Sequence, residues 1–219
     1  MGIEIDLLRN YPRTKRNVEE RGQSKTETDR AIARRFDKEF FDGDRAHGYG
    51  GFSYQSRFWQ PVIPDFKSHY GLTSESSVLD VGCAKGFMLH DMLELIPGIT
   101  VKGIDISDYA IANSMPTIRP YVEVANAIRL PYPDKSFDVV ISINTIHNLN
   151  KKECGIALQE IERVSRKGAF ITVDAYRNDE ERVRMEAWNL TALTIMHVDE
   201  WIAFFKEVGY NGDYYWFIP

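Results

Sequence analysis

The chain has 219 residues, 43% hydrophobic and 27% charged, the composition of an ordinary globular protein with room for one domain and a modest appendage at about 150 residues per domain. A net charge of −5 gives no global attraction to polyanions, so nucleic acid is not an expected partner. The two cysteines, Cys83 and Cys154, are far apart, with no C-x-x-C and no histidine cluster beside them; this excludes a disulfide framework or zinc finger and suits a reducing compartment. No apolar run reaches membrane-spanning length, and the opening Met-Gly-Ile-Glu-Ile-Asp carries acids where a signal peptide needs bases, so a cytoplasmic location without a membrane partner is expected.

Residues 9–35 hold nine basic and four acidic side chains, a positive stretch on an acidic chain. Residues 26–41 predict a helix: Thr26 or Thr28 caps it, acids follow in the first turn, and Ile32, Phe36 and Phe40 recur at helical spacing before Gly43 ends it. Residues 42–54 then form a loop carrying Gly43, Gly48, Gly50 and Gly51 among the aromatics Tyr49, Phe52 and Tyr54. A helix over 61–70 follows, opening with Pro and closing at Gly71.

From there strands and helices alternate. Strands are expected at 78–81, 100–104, 121–124, 137–143 and 169–173, and a last one at 214–218 whose direction the sequence leaves open. Helices are expected at 86–96, 107–114, 151–165, around 182–188 and at 199–208. Alternation of this kind predicts an α/β, doubly wound, mostly parallel sheet covered on both faces. The domain division that follows is an N-terminal helical segment with a glycine-rich lid over 1–60 and a core over 61–219.

In such a sheet ligands bind beyond the carboxyl ends of the strands. Asp80-Val81-Gly82-Cys83-Ala84-Lys85-Gly86 stands there after the first core strand. Its glycines allow close backbone approach, and the helix behind them offers free N–H groups to an anion. The dinucleotide pattern G-x-G-x-x-G starting at Gly82 would need glycine at Ala84 and Phe87 and finds neither, so a nicotinamide dehydrogenase is disfavoured. Asp105, 19 residues past Gly86, is placed either to accept ribose hydroxyls or to cap the next helix. Asn126, after the third strand, is placed either to pair with a base edge or to close an Asx turn, and Ala127 beside it leaves room for a ring.

Together these residues resemble class I S-adenosylmethionine-dependent methyltransferases of the small-molecule "type 11" style. Residues 78–86 resemble the family's first motif, residues 101–107 its ribose-binding strand end, and Asn126-Ala127 through Leu130-Pro131 with Phe137-Asp138-Val139-Val140 its adenine-side motif and fourth strand. The resemblance covers residues 78–173. It implies S-adenosylmethionine as cofactor and S-adenosylhomocysteine as product. Asp80 and the backbone of Gly82, Cys83, Ala84 and Gly86 would hold the methionine moiety, Asp105 the ribose, and Ile106, Asn126 and Ala127 the adenine. Asn144 at the end of the fourth strand, together with Tyr49, Tyr54 and Arg57 from an N-terminal lid, completes the expected cofactor set. Ala84 stands where most members have Gly, and Asn126 replaces the commoner Asp.

Methyl transfer from a sulfonium needs alignment and exclusion of water more than a fixed catalytic residue; a base is required where the acceptor must lose a proton. His147, after the fourth strand, is the candidate base, with lining the adenine pocket or capping the next helix as its alternatives. Asp174 would orient His147 or bind substrate. The chain lacks the Pro-Pro-aromatic and Pro-Cys motifs of nucleobase enzymes, and Asn144 and Asp174 do not reproduce the acids of metal-dependent catechol-type enzymes, so no metal is expected. The basic run Arg13, Lys15, Arg16 and Arg21 reads as a clamp for an anionic group on the acceptor, a solvated face, or an RNA contact that Glu19 and Glu20 weigh against. The expected function is methylation of an O or N atom of a small metabolite, with a phosphorylated, carboxylated or nucleotide-linked sugar as a fitting acceptor. The alternatives are an RNA or protein methyltransferase and a non-catalytic cofactor-binding subunit.

Overall fold

The computed structural model describes residues 2–12 and 25–219. Among these residues, four short helices come first: α1 (Glu27–Ala33), α2 (Lys38–Asp42), α3 (Ser56–Trp59) and α4 (Ile63–Tyr70). The alternating core follows: β1 (Ser77–Val81), α5 (Phe87–Leu95), β2 (Thr100–Asp105), α6 (Asp108–Ala112), β3 (Val122–Val124), β4 (Phe137–Ile143), α7 (Lys151–Val164), β5 (Ser165–Tyr176), α8 (Asp179–Trp188), β6 (Met196–His197), α9 (Val198–Val208) and β7 (Asp213–Phe217). The strands form one seven-stranded sheet in the order β3-β2-β1-β4-β5-β6, with β7 also on β5. Every described strand pairing is parallel, β7 included.

The two-residue period of the strands sorts the core into two faces. Leu79, Val81, Val140, Ile171 and Val173 pack with α7 and α9. Val78, Val139, Ile141 and Phe170 pack with Ile63 and Phe66 of α4 and with Met88, Leu89 and Met92 of α5. Asp80 shares the parity of Val78 and lies on the α5 face, at the carboxyl end of β1.

The N-terminus finishes the sheet. The Ile5 N–H donates to Tyr214 O at 2.9 Å, the Tyr214 N–H donates to Ile3 O at 3.1 Å, and Leu7 is buried in the α4–α5 cluster. Residues 2–12 thereby cover the outer edge of β7, where an unpaired strand would invite association. They belong with the sheet.

The expected single helix over 26–41 is two helices. Thr26 caps α1 in a reciprocal capping box with Asp29, as expected. The chain then leaves the helix at Arg34, Phe36 takes a left-handed φ of 50°, and the Asp37 carboxylate accepts the Glu39 N–H to start α2. Asp37 is a stronger start signal than continuous apolar spacing is a continuation signal.

Candidate active site

The turn between β1 and α5 is built on alternate left-handed residues, with φ of 89° at Gly82, 50° at Ala84 and 76° at Gly86. A Cβ on Gly82 would lie 2.1 Å from Thr145 Oγ1, and one on Gly86 would lie 2.4 Å from Ile118 Cγ2. Both glycines are therefore required by space as well as by backbone angle. Ala84 tolerates the same region because its side chain is a single methyl group. The Gly82 and Cys83 N–H groups donate to Ile104 O, and the Ala84 N–H donates to Asp105 Oδ2 at 2.8 Å. Asp105 Oδ1 accepts the Ser107 N–H at 2.9 Å, while Ser107 itself caps α6. Asp105 thus braces the turn from β2, and each of its oxygens keeps a second lone pair for a hydroxyl.

Two features of the turn complement the charges of a zwitterion. The first is the N-terminus of α5, which has no side-chain cap and so presents free N–H groups. The second is Asp80, whose buried carboxylate has no hydrogen-bond partner among the described residues. Burial, with repulsion from Asp105 added, pushes the Asp80 carboxyl up to about 8. An incoming cation would favour its ionised form and offset that cost of burial.

The other cofactor-side residues divide. Ile106 leaves 52% of its surface exposed beside Asp105, an apolar platform at the strand end. Asn126 is exposed and closes an Asx turn, its Oδ1 accepting the Ile128 N–H at 3.1 Å; Ala127 packs on the core beside it. The Cys83 side chain is turned into the sheet, where the missing side chain of Gly103 makes room for its Sγ. Asn144, left-handed at φ 51°, is locked onto β5: its N–H donates to Thr172 O at 3.1 Å and its Oδ1 accepts from Thr172 Oγ1 at 2.8 Å.

The glycine-rich loop lies against this turn through a set of contacts that the sequence pattern did not reveal. Lys85, nearly buried inside the turn, donates from Nζ to Asp42 Oδ2 at 2.6 Å and to Phe52 O at 2.8 Å. Tyr109 on α6 donates to the same Asp42 oxygen at 2.7 Å, and the Phe52 N–H donates to Asp42 Oδ1 at 2.8 Å. Burial alone would raise the Asp42 carboxyl, but Lys85, the Phe52 N–H and Tyr109 outweigh it and hold it below the ordinary range. Phe52 stacks on Phe87 at 4.8 Å, and Tyr49 packs on Phe52 at 4.3 Å. Tyr54 donates to Asp91 on α5 at 2.6 Å. Arg57 is exposed and stacks over Phe58; no contact joins it to the turn. A lysine between Ala84 and Gly86 was the available signal for this anchor, because a cation inside a glycine turn needs an acid from elsewhere.

His147 and Asp174 do come together, at the carboxyl ends of β4 and β5. His147 is buried in a single 3-10 turn (Ile146–Asn148). Its Nδ1 accepts the main-chain N–H of Asp174 at 2.8 Å, while Asp174 Oδ1 stands 3.5 Å from the same nitrogen. A neutral imidazole accepting at Nδ1 carries its proton on Nε2. The ring so held offers a proton, not a lone pair, which runs against the expectation that His147 is the base. Burial lowers the His147 pKa, with Asp174 opposing; burial raises that of Asp174, with His147 and Lys25 opposing. The expected clamp residues Arg13, Lys15, Arg16 and Arg21 lie outside the described residues. Among the described residues no cluster of His, Cys, Asp and Glu is arranged to hold a metal ion.

A parallel doubly wound sheet, a glycine turn after its first strand, and acids closing β1 and β2 define a Rossmann-like methyltransferase architecture. Residues 79–173, somewhat under half of the chain, match the family model described as "Methyltransferase domain". Similar proteins include an Arabidopsis thaliana tRNA (carboxymethyluridine(34)-5-O)-methyltransferase, 31% identical over 66% of this chain and 34% of the relative. The 2-methyl-6-phytyl-1,4-hydroquinone methyltransferase of Synechocystis is 29% identical over 74% and 54%. The 27-O-demethylrifamycin SV methyltransferase of Amycolatopsis mediterranei is 27% identical over 63% and 55%. The chain thus spans from about a third to somewhat over half the length of these relatives.

Among solved structures, the YcgJ protein from Bacillus subtilis aligns with a TM-score of 0.54 at 19% identity, covering 67% of this chain and 66% of its own. The [4+2]-cyclase SpnF aligns with a TM-score of 0.56 at 20% identity, covering 72% and 58%. These likenesses speak for the fold. Since one of the two carries a cyclase's name, the reaction has to be argued from the site.

Proposed function

We propose that the chain binds S-adenosylmethionine at the β1 turn and transfers its methyl group to an oxygen or nitrogen of a small metabolite. The observation that carries this reading is the pairing of an unpartnered buried carboxylate, Asp80, with the uncapped N-terminus of α5. An amino acid's ammonium and carboxylate fit that pair, and the methionine end of S-adenosylmethionine has both. Asp105 would take the ribose hydroxyls; Ile106, Ala127 and the free amide edge of Asn126 would take the adenine.

When bound, S-adenosylmethionine supplies a methyl carbon already activated by its sulfonium. The chain's residues are left with positioning and exclusion of water. Lys85 and Asp42 hold the aromatic loop against the turn, which supports residues 25–54 as a cover over the 61–219 core, with residues 2–12 joined to the sheet instead. A site enclosed in this way favours a small acceptor over RNA or protein. The basic residues of the 13–21 stretch suit an acceptor with a phosphate or carboxylate. Both cysteines are free and buried, in keeping with a reducing compartment such as the cytoplasm. Among the described residues no helix is long and apolar enough to cross a membrane.

The test is to incubate the protein with methyl-labelled S-adenosylmethionine and whole cell extract, then pass the products through a small-pore filter. Label in the filtrate is the expected result. Label retained on RNA or protein would replace the acceptor class, and an absence of transfer together with S-adenosylhomocysteine binding would favour a silent binding subunit.

A further inference from the structure

His147 and Asp174 are joined the opposite way round from a histidine base steered by an acid. The group that fixes the imidazole is the main-chain N–H of Asp174, not its carboxylate. That bond occupies the only lone pair of the neutral ring, so taking a proton at Nδ1 would break it, and Nε2 is already protonated. The main chain of Asp174 is clamped on its other side too, because Trp201 Nε1 donates to Asp174 O at 3.0 Å. Its carboxylate, in contrast, accepts no hydrogen bond among the described residues while being 6% exposed. It is a fixed, nearly buried acid with free lone pairs.

The register puts this acid at the same end of the sheet as the β1 turn, two strands away. Thr172 of β5 pairs with Ile143 of β4, and Asp80 of β1 pairs with Ile141. Asp174 therefore lies past the end of β4, with Phe217 of β7 beside it on the other edge of β5, and Thr145, just after β4, stands against Gly82. The N-terminal cover reaches the same place: Lys25 donates to Trp188 O, and Arg30 Nε donates to Asn189 O at 3.4 Å.

We propose that Asp174 is the proton-accepting group of the acceptor site and that His147 is a fixed Nε2–H donor beside it, a pairing that suits an acceptor hydroxyl. This rests on the methyltransferase reading above. In the transfer, the hydroxyl proton goes to an Asp174 oxygen as the hydroxyl oxygen's electron pair forms the new O–C bond; the pair of the broken C–S bond stays on sulfur. Burial favours the protonated acid that results. The charged or titratable groups acting on Asp174 are His147 from the 3-10 turn and Lys25 from the cover.

The first arm of the experiment needs no acceptor. Nitrogen-15 NMR of histidine-labelled protein, assigned with His147→Asn, should report Nδ1 unprotonated and Nε2 protonated from pH 6 to 8; an Nε2 lone pair or an imidazolium in that range overturns the proposal. The His147→Asn side-chain oxygen can still receive the Asp174 N–H, and Asp174→Asn is isosteric, so both variants keep the fold. With labelled S-adenosylmethionine and the low-molecular-weight fraction of cell extract, Asp174→Asn should lose ~10²-fold or more in turnover. His147→Asn should lose less and keep the wild-type pH profile. Wild-type turnover in Asp174→Asn, or loss of the pH dependence in His147→Asn, overturns the assignment. S-adenosylhomocysteine titration of the same samples separates the two failures: absent binding refutes the cofactor reading and leaves the histidine tautomer result standing.

Discussion

The two halves of the site are made from different materials. The proposed cofactor half is mostly backbone: a turn with left-handed residues at 82, 84 and 86, an open helix N-terminus, and two acids whose positions follow from strand ends. The proposed acceptor half is side chains carried by segments far apart in the chain: His147 bonded to Asp174 at the end of β5, and Lys25, which donates to Trp188 O and acts on the Asp174 charge. A backbone receptor constrains residue type at fixed spacing and reads out of a sequence. A side-chain receptor depends on which atom of each group meets which, and spacing does not carry that information.

The comparison is broken most sharply at the turn itself. Gly82→Ala places a methyl group on Thr145 in a left-handed conformation and should cost about 3 kcal/mol or more in stability. Denaturant unfolding and S-adenosylhomocysteine titration should fail together; a stable variant that binds normally would mean the turn has room to spare. Asp105→Ala removes the brace on Ala84 along with the proposed ribose acceptor, and should weaken S-adenosylhomocysteine binding by roughly 1–3 kcal/mol, as calorimetry would read directly.

The pH dependence of binding sharpens the same half. Asp80 is protonated in the free protein up to about pH 8, while pairing with an ammonium requires its carboxylate. Binding must then release a proton, and affinity should climb by up to about tenfold per pH unit between pH 6 and 8. Calorimetry in buffers of different ionisation enthalpy would count that proton, and Asp80→Asn should abolish its release.

A smaller effect is expected at the cover. Lys85→Met leaves Asp42 with Tyr109 and the Phe52 N–H, and its partner is only partly buried, so a loss of about 1–2 kcal/mol is expected. Faster proteolysis at residues 48–51 with the core intact is the readout. The Asp42 carboxyl lies below its ordinary range in the folded chain. Its contribution is therefore full above the unfolded pKa and fades as pH falls through the lowered one, so the loop should loosen only in acid.

The same division explains what could be read in advance. The alternation of strands gave the parallel sheet, and β4 falls on its expected residues because a buried parallel strand is a continuous apolar run bounded by polar residues. Beta-strand 5 runs longer than its apolar stretch, from Ser165 to Tyr176, since pairing with neighbours extends it past its hydrophobic centre. The split of α1 from α2 was hidden behind matched aromatic spacing. Asp42 and Lys85 are 43 residues apart, and a lysine in a glycine turn does not name its acid. For His147, the residue type suggested a base, while the donor role proposed for it follows from one main-chain N–H that no sequence pattern encodes.

The most direct measurement of the central claim is calorimetric titration of S-adenosylhomocysteine into the wild type and into Asp80→Asn at pH 7. The account predicts binding to the wild type with proton release, and to the variant roughly tenfold or more weaker with none. Equal affinity in the two proteins, or binding to the wild type without proton release, would contradict it.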